Sequence, residues 1–430
     1  MGKEFLYIGK QDRLDTDRLH DFAFEAGDEP CDFLVSNTPE TAEIYATEID
    51  WFLAHAAGEA AAKTRIVRTL YEARAIAYDR AEIDKKIAYD HAICQYHEKV
   101  GDSCALCVKA CTKEAIVKDE TTHHLRYSDE LCTSCGECVS VCPTGAIDLA
   151  AYPFDAFEQI AKLYESTVPL IVIDSDLPDI ALPAGVAPLV VPPAILDVSR
   201  LITLLQESGS QAVIAGVPNE AALLINDIWT AIYSVKAVLS LDELSDAQPI
   251  VKSRFSATIA NANARVRFVR RLQAAIGDGN FGTIKSDHFG TIAVDRERCT
   301  LCAGCAQNCV TGALTADSVE GILRANDSLC TMCGECAAIC PEKAITLNAD
   351  GVHLDAIWFR EREAAVDQPF CCVECGKPFA GKRAIAKVIA TMTPLFGGDM
   401  NKIRTLSCCA DCKPKVMLGN LLKEIKNGRL

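Results

Sequence analysis

The sequence predicts an α+β chain of several domains, and three observations carry that prediction. Two cysteine-rich blocks, at about residues 94–150 and 290–350, repeat one another at a fixed offset of 198 residues. The stretch between them alternates β-branched runs with helix-forming ones. Two further cysteine groups flank a helical segment near residue 390. At 430 residues the chain has room for roughly two to four domains.

Residues 1–93 read as an α/β and helical region. Phe5–Ile8 and Cys31–Val35 are β-forming runs around a short helix. Asn37-Thr38-Pro39-Glu40 then supplies a capping residue and a proline at the favoured first position, and predicts a long helical region to about Glu98. Ile44, Trp51 and Phe52 share one face of it, and Ala54–Ala62 is strongly helix-forming. The aromatic stripe reads as core, and Cys31 as a small buried apolar residue.

Residues 151–289 have a different texture. Pro169–Asp174, Pro188–Val191, Gln211–Ala215 and Val235–Leu239 read as strands. Ala194–Glu207, Pro218–Ile232 and Phe255–Ile276 read as helices. Strands alternating with helices predict a small parallel α/β domain with right-handed crossovers, inserted between the cysteine blocks. Gly277-Asp-Gly279-Asn-Phe-Gly282 matches G-x-G-x-x-G, but a dinucleotide loop follows a strand and opens a helix. Here a helix precedes it, so it reads as a helix C-terminal loop.

The cysteine blocks carry the chemistry. Cys299, Cys302, Cys305 and Cys309 read C-x2-C-x2-C-x3-C. Cys330, Cys333, Cys336 and Cys340 repeat the spacing and end in C-P, as do Cys132, Cys135, Cys138 and Cys142. Cys104, Cys107 and Cys111 precede the last set. Three thiolates two residues apart on a tight loop can hold three irons of one cubane, and the fourth points to the neighbouring cluster. Four sets follow: Cys299, Cys302, Cys305 with Cys340; Cys330, Cys333, Cys336 with Cys309; Cys132, Cys135, Cys138 with Cys111; and Cys104, Cys107 with Cys142. On these motifs the chain resembles the bacterial two-[4Fe–4S] ferredoxins, twice over, across roughly a quarter of its length. The resemblance implies four [4Fe–4S] clusters.

The last set lacks a ligand, because the offset maps Cys299 onto Gly101. Cys94, Asp102, His91 and His97 are the candidates. A soft ligand suits iron, which favours Cys94, while the histidines read as packing or surface residues.

Near the C-terminus, Cys371-Cys372-Val-Glu-Cys375-Gly precedes Cys408-Cys409-Ala-Asp-Cys412. The two C-x2-C pairs, glycine following the first, resemble zinc-ribbon knuckles, and the domain is taken as residues 367–430. Cys372, Cys375, Cys409 and Cys412 would form a closed, structural zinc site. The doubled cysteines keep a fifth iron–sulfur cluster as the alternative.

The formal charge of −16 argues against nucleic acid and suits a partner with a basic docking patch. No apolar run reaches the length of a membrane span, and Met1–Gly9 does not read as an export signal. Twenty-three cysteines clustered this way predict metal rather than disulfides, and a reducing, cytoplasmic setting. No nucleophile–base pair stands out. The expected role is an electron-transfer subunit that wires a redox enzyme of formate dehydrogenase or hydrogenase type to another carrier. The alternatives are an oxidoreductase with its own C-terminal site, and an assembly or redox-sensing protein.

Overall fold

The structure is a computed structural model. It describes residues 5–8, 33–36, 65–67, 86–100, 104–173, 183, 185–248, 262–317 and 320–426, with backbone alone for the first three segments and after residue 419. The chain divides into two compact units. One comprises residues 1–97 and 105–284, the other residues 98–104 and 285–430.

The first unit opens with a three-stranded parallel sheet of β1 (Phe5–Ile8), β2 (Phe33–Ser36) and β3 (Arg65–Val67). Phe5 pairs with Phe33, and Phe33 with Arg65. β3 and the next strand, β4 (Ile87–Tyr89), correct the expectation of a helical region running to Glu98. Arg65-Ile66-Val67 and Ile87-Ala88-Tyr89 are short and partly β-branched, and each pairs with a strand distant in sequence. Local helix propensity is blind to such pairing. Cys31, Ile44, Trp51, Phe52 and Ala54–Ala62 lie outside the described residues.

The first cysteine module follows. After β4 come a single 3-10 turn (His91–Ile93), α1 (Leu106–Ala110), the hairpin β5 (Ile116–Asp119) and β6 (His124–Tyr127), α2 (Glu137–Ser140) and β7 (Ile147–Leu149). β7 pairs antiparallel with β4.

Then α3 (Phe154–Leu163), β8 (Val168–Val172), β9 (Val186–Val190), α4 (Val198–Ser208), β10 (Ala212–Ile214), α5 (Glu220–Tyr233), β11 (Val238–Ser240), α6 (Ala264–Ile276) and β12 (Asn280–Ile284) complete the unit. β8 to β11 form a four-stranded parallel sheet in the order β11-β10-β8-β9. All five residues of β8 are buried, as a strand covered on both faces requires. The helix ends follow capping chemistry. Asp197 accepts the Arg200 amide at 2.6 Å to start α4, and Gly209, at φ +66°, ends it. Residues 255–261, expected to begin α6, lie outside the described residues. Gly277 caps α6 and β12 follows, the reverse of the order that a dinucleotide loop needs.

Buried charge ties these helices together. Arg271 of α6 is fully buried and donates to Glu158 of α3 at 2.9 Å and to Glu207 of α4 at 2.8 Å. Arg200 of α4 donates to both oxygens of Asp148 on β7, at 2.6 and 2.8 Å. Both bonds come from one guanidinium nitrogen, while the other faces Asp197 at 3.5 Å.

The second unit repeats the module with β13 (Thr291–Val294), α7 (Gly304–Gln307), β14 (Leu314–Asp317), β15 (Ile322–Ala325), α8 (Glu335–Ala338) and β16 (Ile345–Asn348). It continues with β17 (Val352–Asp355), β18 (Arg362–Val366), the hairpin β19 (Pro369–Cys371) and β20 (Pro378–Gly381), and the helices α9 (Lys382–Leu395), α10 (Met400–Leu406) and α11 (Lys413–Lys426). β18 joins β14 and β15 in one antiparallel sheet. Its Ala364 and Ala365 pack with Leu314, Leu323 and Ile345 in a core that backs onto the cysteine loops. Mixed helix and strand content fits the α+β expectation.

Candidate metal centres

The two cysteine modules share one backbone. β5 and β14, β6 and β15, and α2 and α8 stand 198 residues apart. So do five left-handed positions: Glu114 and Gly312, His123 and Gly321, Ser134 and Met332, Gly136 and Gly334, Gly145 and Lys343. Several are not glycine, and a left-handed residue with a side chain is held there only when its surroundings require it. The requirement is visible. Glu114 at φ +52° aims the next amide, of Ala115, at the Cys111 sulfur at 3.2 Å. Lys343 at φ +49° aims the Ala344 amide at the Cys340 sulfur at 3.4 Å. Amide dipoles directed at sulfur favour the thiolate.

Among the described residues the thiols of three expected sets come together. Cys111 lines one recess with Cys132, Cys135 and Cys138, about 370 Å³ and open to solvent. Cys340 lines another of about 380 Å³ with Cys299, Cys302 and Cys305. Burial first, then the neighbouring thiols, pushes Cys138 and Cys305 each up to about 12. Burial, then Cys330, Cys333 and Cys309, pushes Cys336 well above the ordinary thiol range. Buried thiols that oppose one another's ionisation become thiolates together only when cations sit among them, so the donor set fits iron–sulfur clusters. Thr144 and Thr311 add hydroxyls 3.8 and 3.6 Å from the Cys142 and Cys309 sulfurs, a second layer that the cysteine spacing alone did not reveal.

Strand register bears on the set that lacks a ligand. Ile87 pairs with Leu149 and Tyr89 with Ile147 in the first module. Ile292 pairs with Leu347 and Val294 with Ile345 in the second. Since β7 and β16 stand 198 apart, β4 and β13 stand 205 apart. Asp90 continues the match, donating its amide to the Ala146 carbonyl at 2.8 Å as Asp295 does to Ala344. Counting on at this offset brings Cys94 onto Cys299. The first module therefore has seven more residues between its first two cysteines. Cys94 is buried and takes the Tyr96 amide on its sulfur at 3.5 Å. The Tyr89 phenol is raised by burial and then by its neighbour Cys94, with Cys107 contributing. His91 and His97 pack as rings 5.0 Å apart, and His97 stacks on His124 at 4.2 Å. Gly101 and Asp102 lie outside the described residues.

In the C-terminal segment the ligand atoms of Cys372, Cys375, Cys409 and Cys412 lie within 4.8 Å of one another, a group able to hold one metal ion. The Cys375 and Cys409 sulfurs are 3.7 Å apart. Burial opposes the Cys372 thiolate, yet amides of Cys409, Glu374 and Cys375 bring that thiol down to about 6. Cys412 is pushed up to about 12 by bonding to Cys375 and Cys409. The first pair sits on the β19–β20 hairpin, but the second occupies the turn between α10 and α11. One hairpin, not the two of a ribbon, therefore frames the site. Cys408 is buried against Cys372 and Cys409, with its thiol on the Arg404 carbonyl at 3.4 Å, and Cys371 is exposed.

Models of the 4Fe-4S dicluster domain match residues 102–146 and 298–345. The chain thus carries two ferredoxin-type iron–sulfur domains, and these imply an electron-transfer role. A comparison with curated proteins finds no match. Among the described residues no helix is long and apolar enough to cross a membrane.

Proposed function

We propose that the chain is an electron carrier holding four [4Fe–4S] clusters and serving as a subunit that wires a redox enzyme to another carrier. The observation that supports the reading is the strand register that aligns Cys94 with Cys299, because it favours Cys94 as the fourth ligand beside Cys104, Cys107 and Cys142. Each cluster, when bound, exchanges one electron. The chain's own residues do the rest. Half-buried thiols limit water around each set, and amides from Ala115 and Ala344 offset negative charge on the sulfurs. Cys372, Cys375, Cys409 and Cys412 hold a structural zinc, since four protein thiolates close the tetrahedron and leave no position for substrate. A partner of the formate dehydrogenase or hydrogenase type rests on analogy with other ferredoxin-like subunits.

The test is anaerobic reconstitution of the full chain with metal analysis, a redox titration, and assays with formate, hydrogen and reduced nicotinamide, each with a viologen dye. About sixteen irons and one zinc are expected, with reversible couples and no substrate turnover. Cys94→Ser should lose about a quarter of the iron and one paramagnetic signal, as Cys299→Ser should. A Cys94→Ser chain with full iron and an unchanged spectrum removes Cys94 from the ligand set. Robust dye reduction by the chain alone would make it an enzyme.

A further inference from the structure

Helix α9 joins the two halves of the C-terminal cysteine group, yet its first turns lie on the loops that carry Cys299 and Cys340. Arg383 donates to the carbonyls of Arg296 and, at 3.5 Å, Glu297, in the turn directly before Cys299. It also donates to the Val366 carbonyl at the end of β18. Asp367 fixes it from the other side, accepting the Arg383 amide at 2.7 Å and lying 3.4 Å from its Nε. Gly381 lets the segment come this close, because a Cβ there would stand 3.4 Å from the Thr300 carbonyl and 2.8 Å from the Asp367 carboxylate. One turn further on, Lys387 donates at 2.5 Å to Glu342, a residue that lines the recess shared by Cys299, Cys302, Cys305 and Cys340. The position 198 residues before Glu342 is Thr144, a neutral side chain.

We propose that Arg383 sets the reduction potential of the cluster held by Cys299, Cys302, Cys305 and Cys340, with Glu342 as the opposing charge. The inference rests on that set holding a [4Fe–4S] cluster. An added electron makes such a cluster more negative, so a fixed cation beside its loop stabilises the reduced form and a fixed anion the oxidised form. The Arg383 side chain is 33% exposed, so solvent weakens the effect without abolishing it. Arg383 is paired with Asp367 and Glu342 with Lys387, so each acts from within an ion pair and its influence is reduced.

The experiment is an anaerobic potentiometric titration of the reconstituted full chain, followed by electron paramagnetic resonance, for wild type, Arg383→Gln, Arg383→Lys and Glu342→Gln. In Arg383→Gln the reduced-to-oxidised ratio of one couple should fall about tenfold at fixed ambient potential, a downward shift of about 59 mV for one electron. The same signal should move upward in Glu342→Gln and stay near its wild-type value in Arg383→Lys. If Arg383→Gln loses iron, the Glu342→Gln titration decides. Unmoved couples in the Gln variants that keep full iron overturn the inference and leave the carrier reading intact, and so does a shift shared by all couples. A wild-type chain with no reversible couple overturns both.

Discussion

Gly136 and Gly334 occupy the same turn of the two cysteine modules, with φ of +90° and +85°. A methyl group added at Gly136 would meet Ile195 Cγ2 at 2.5 Å, whereas one at Gly334 would meet nothing within 4 Å. Gly145 likewise faces the start of α6, where a Cβ would stand 3.1 Å from Ala264, and Thr144 accepts the Ala264 amide at 2.9 Å. The first module is therefore packed on one side against the segment that follows it, whose helices α3, α4 and α6 are joined by charges with almost no exposure. The second module has its own cover, but α9 holds on through surface pairs such as Lys387–Glu342, at 51% and 15% exposure. One cysteine backbone has been given a neighbour with buried ion pairs in one place and one with exposed pairs in the other. Electrostatic contacts in the second setting tune more than they stabilise.

The comparison breaks hardest at Arg271. Arg271→Ala leaves Glu158 and Glu207 buried and facing one another without a cation. It should cost about 3–5 kcal/mol, read as a lower urea midpoint for loss of visible cluster absorption in the anaerobic holoprotein. A change below about 1 kcal/mol would mean that the helices around the first module are not held by this triad.

The glycine pair sharpens the same contrast. Gly334→Ala should cost roughly 1 kcal/mol, for a left-handed residue with a side chain. Gly136→Ala adds the overlap with Ile195, roughly 1–3 kcal/mol more, and should release iron from the set with Cys132, Cys135 and Cys138 first. Equal costs in the two variants, measured by urea midpoint and iron content, would show that the helices do not press on the first module in solution. The smallest effect belongs to Lys387→Ala. It should change stability by less than about 1 kcal/mol, and the difference should vanish at high salt.

Much of this was legible in the residues. The 198-residue offset paired the cysteines of the two modules, all but Cys299, which it maps onto Gly101. Val168–Val172 and Ala212–Ile214 announced themselves as buried strands through unbroken apolar character. Cys372, Cys375, Cys409 and Cys412 were grouped correctly from two C-x2-C pairs. Arg65–Val67 and Ile87–Tyr89 were lost in a helix-forming neighbourhood, since their partners, β2 and β7, lie tens of residues away. Arg383 gave no signal at all. A lone basic residue at a helix start looks like any other until the carbonyls it reaches are known.

The sequence alone determined the kind of chemistry, two ferredoxin-type iron–sulfur domains. Thiol spacing is a local property, set by the reach of a short loop around an iron cluster. Tertiary structure decided what depends on long-range register. The pairing of β4 with β7 counted Cys94 onto Cys299 across a seven-residue difference that no local spacing could span. Chain folding also chose the neighbours, placing Ile195 against Gly136 and Arg383 against the turn before Cys299. Those contacts join residues tens of positions apart, and they arise only when buried surface has offset the entropy of closing the loops between them.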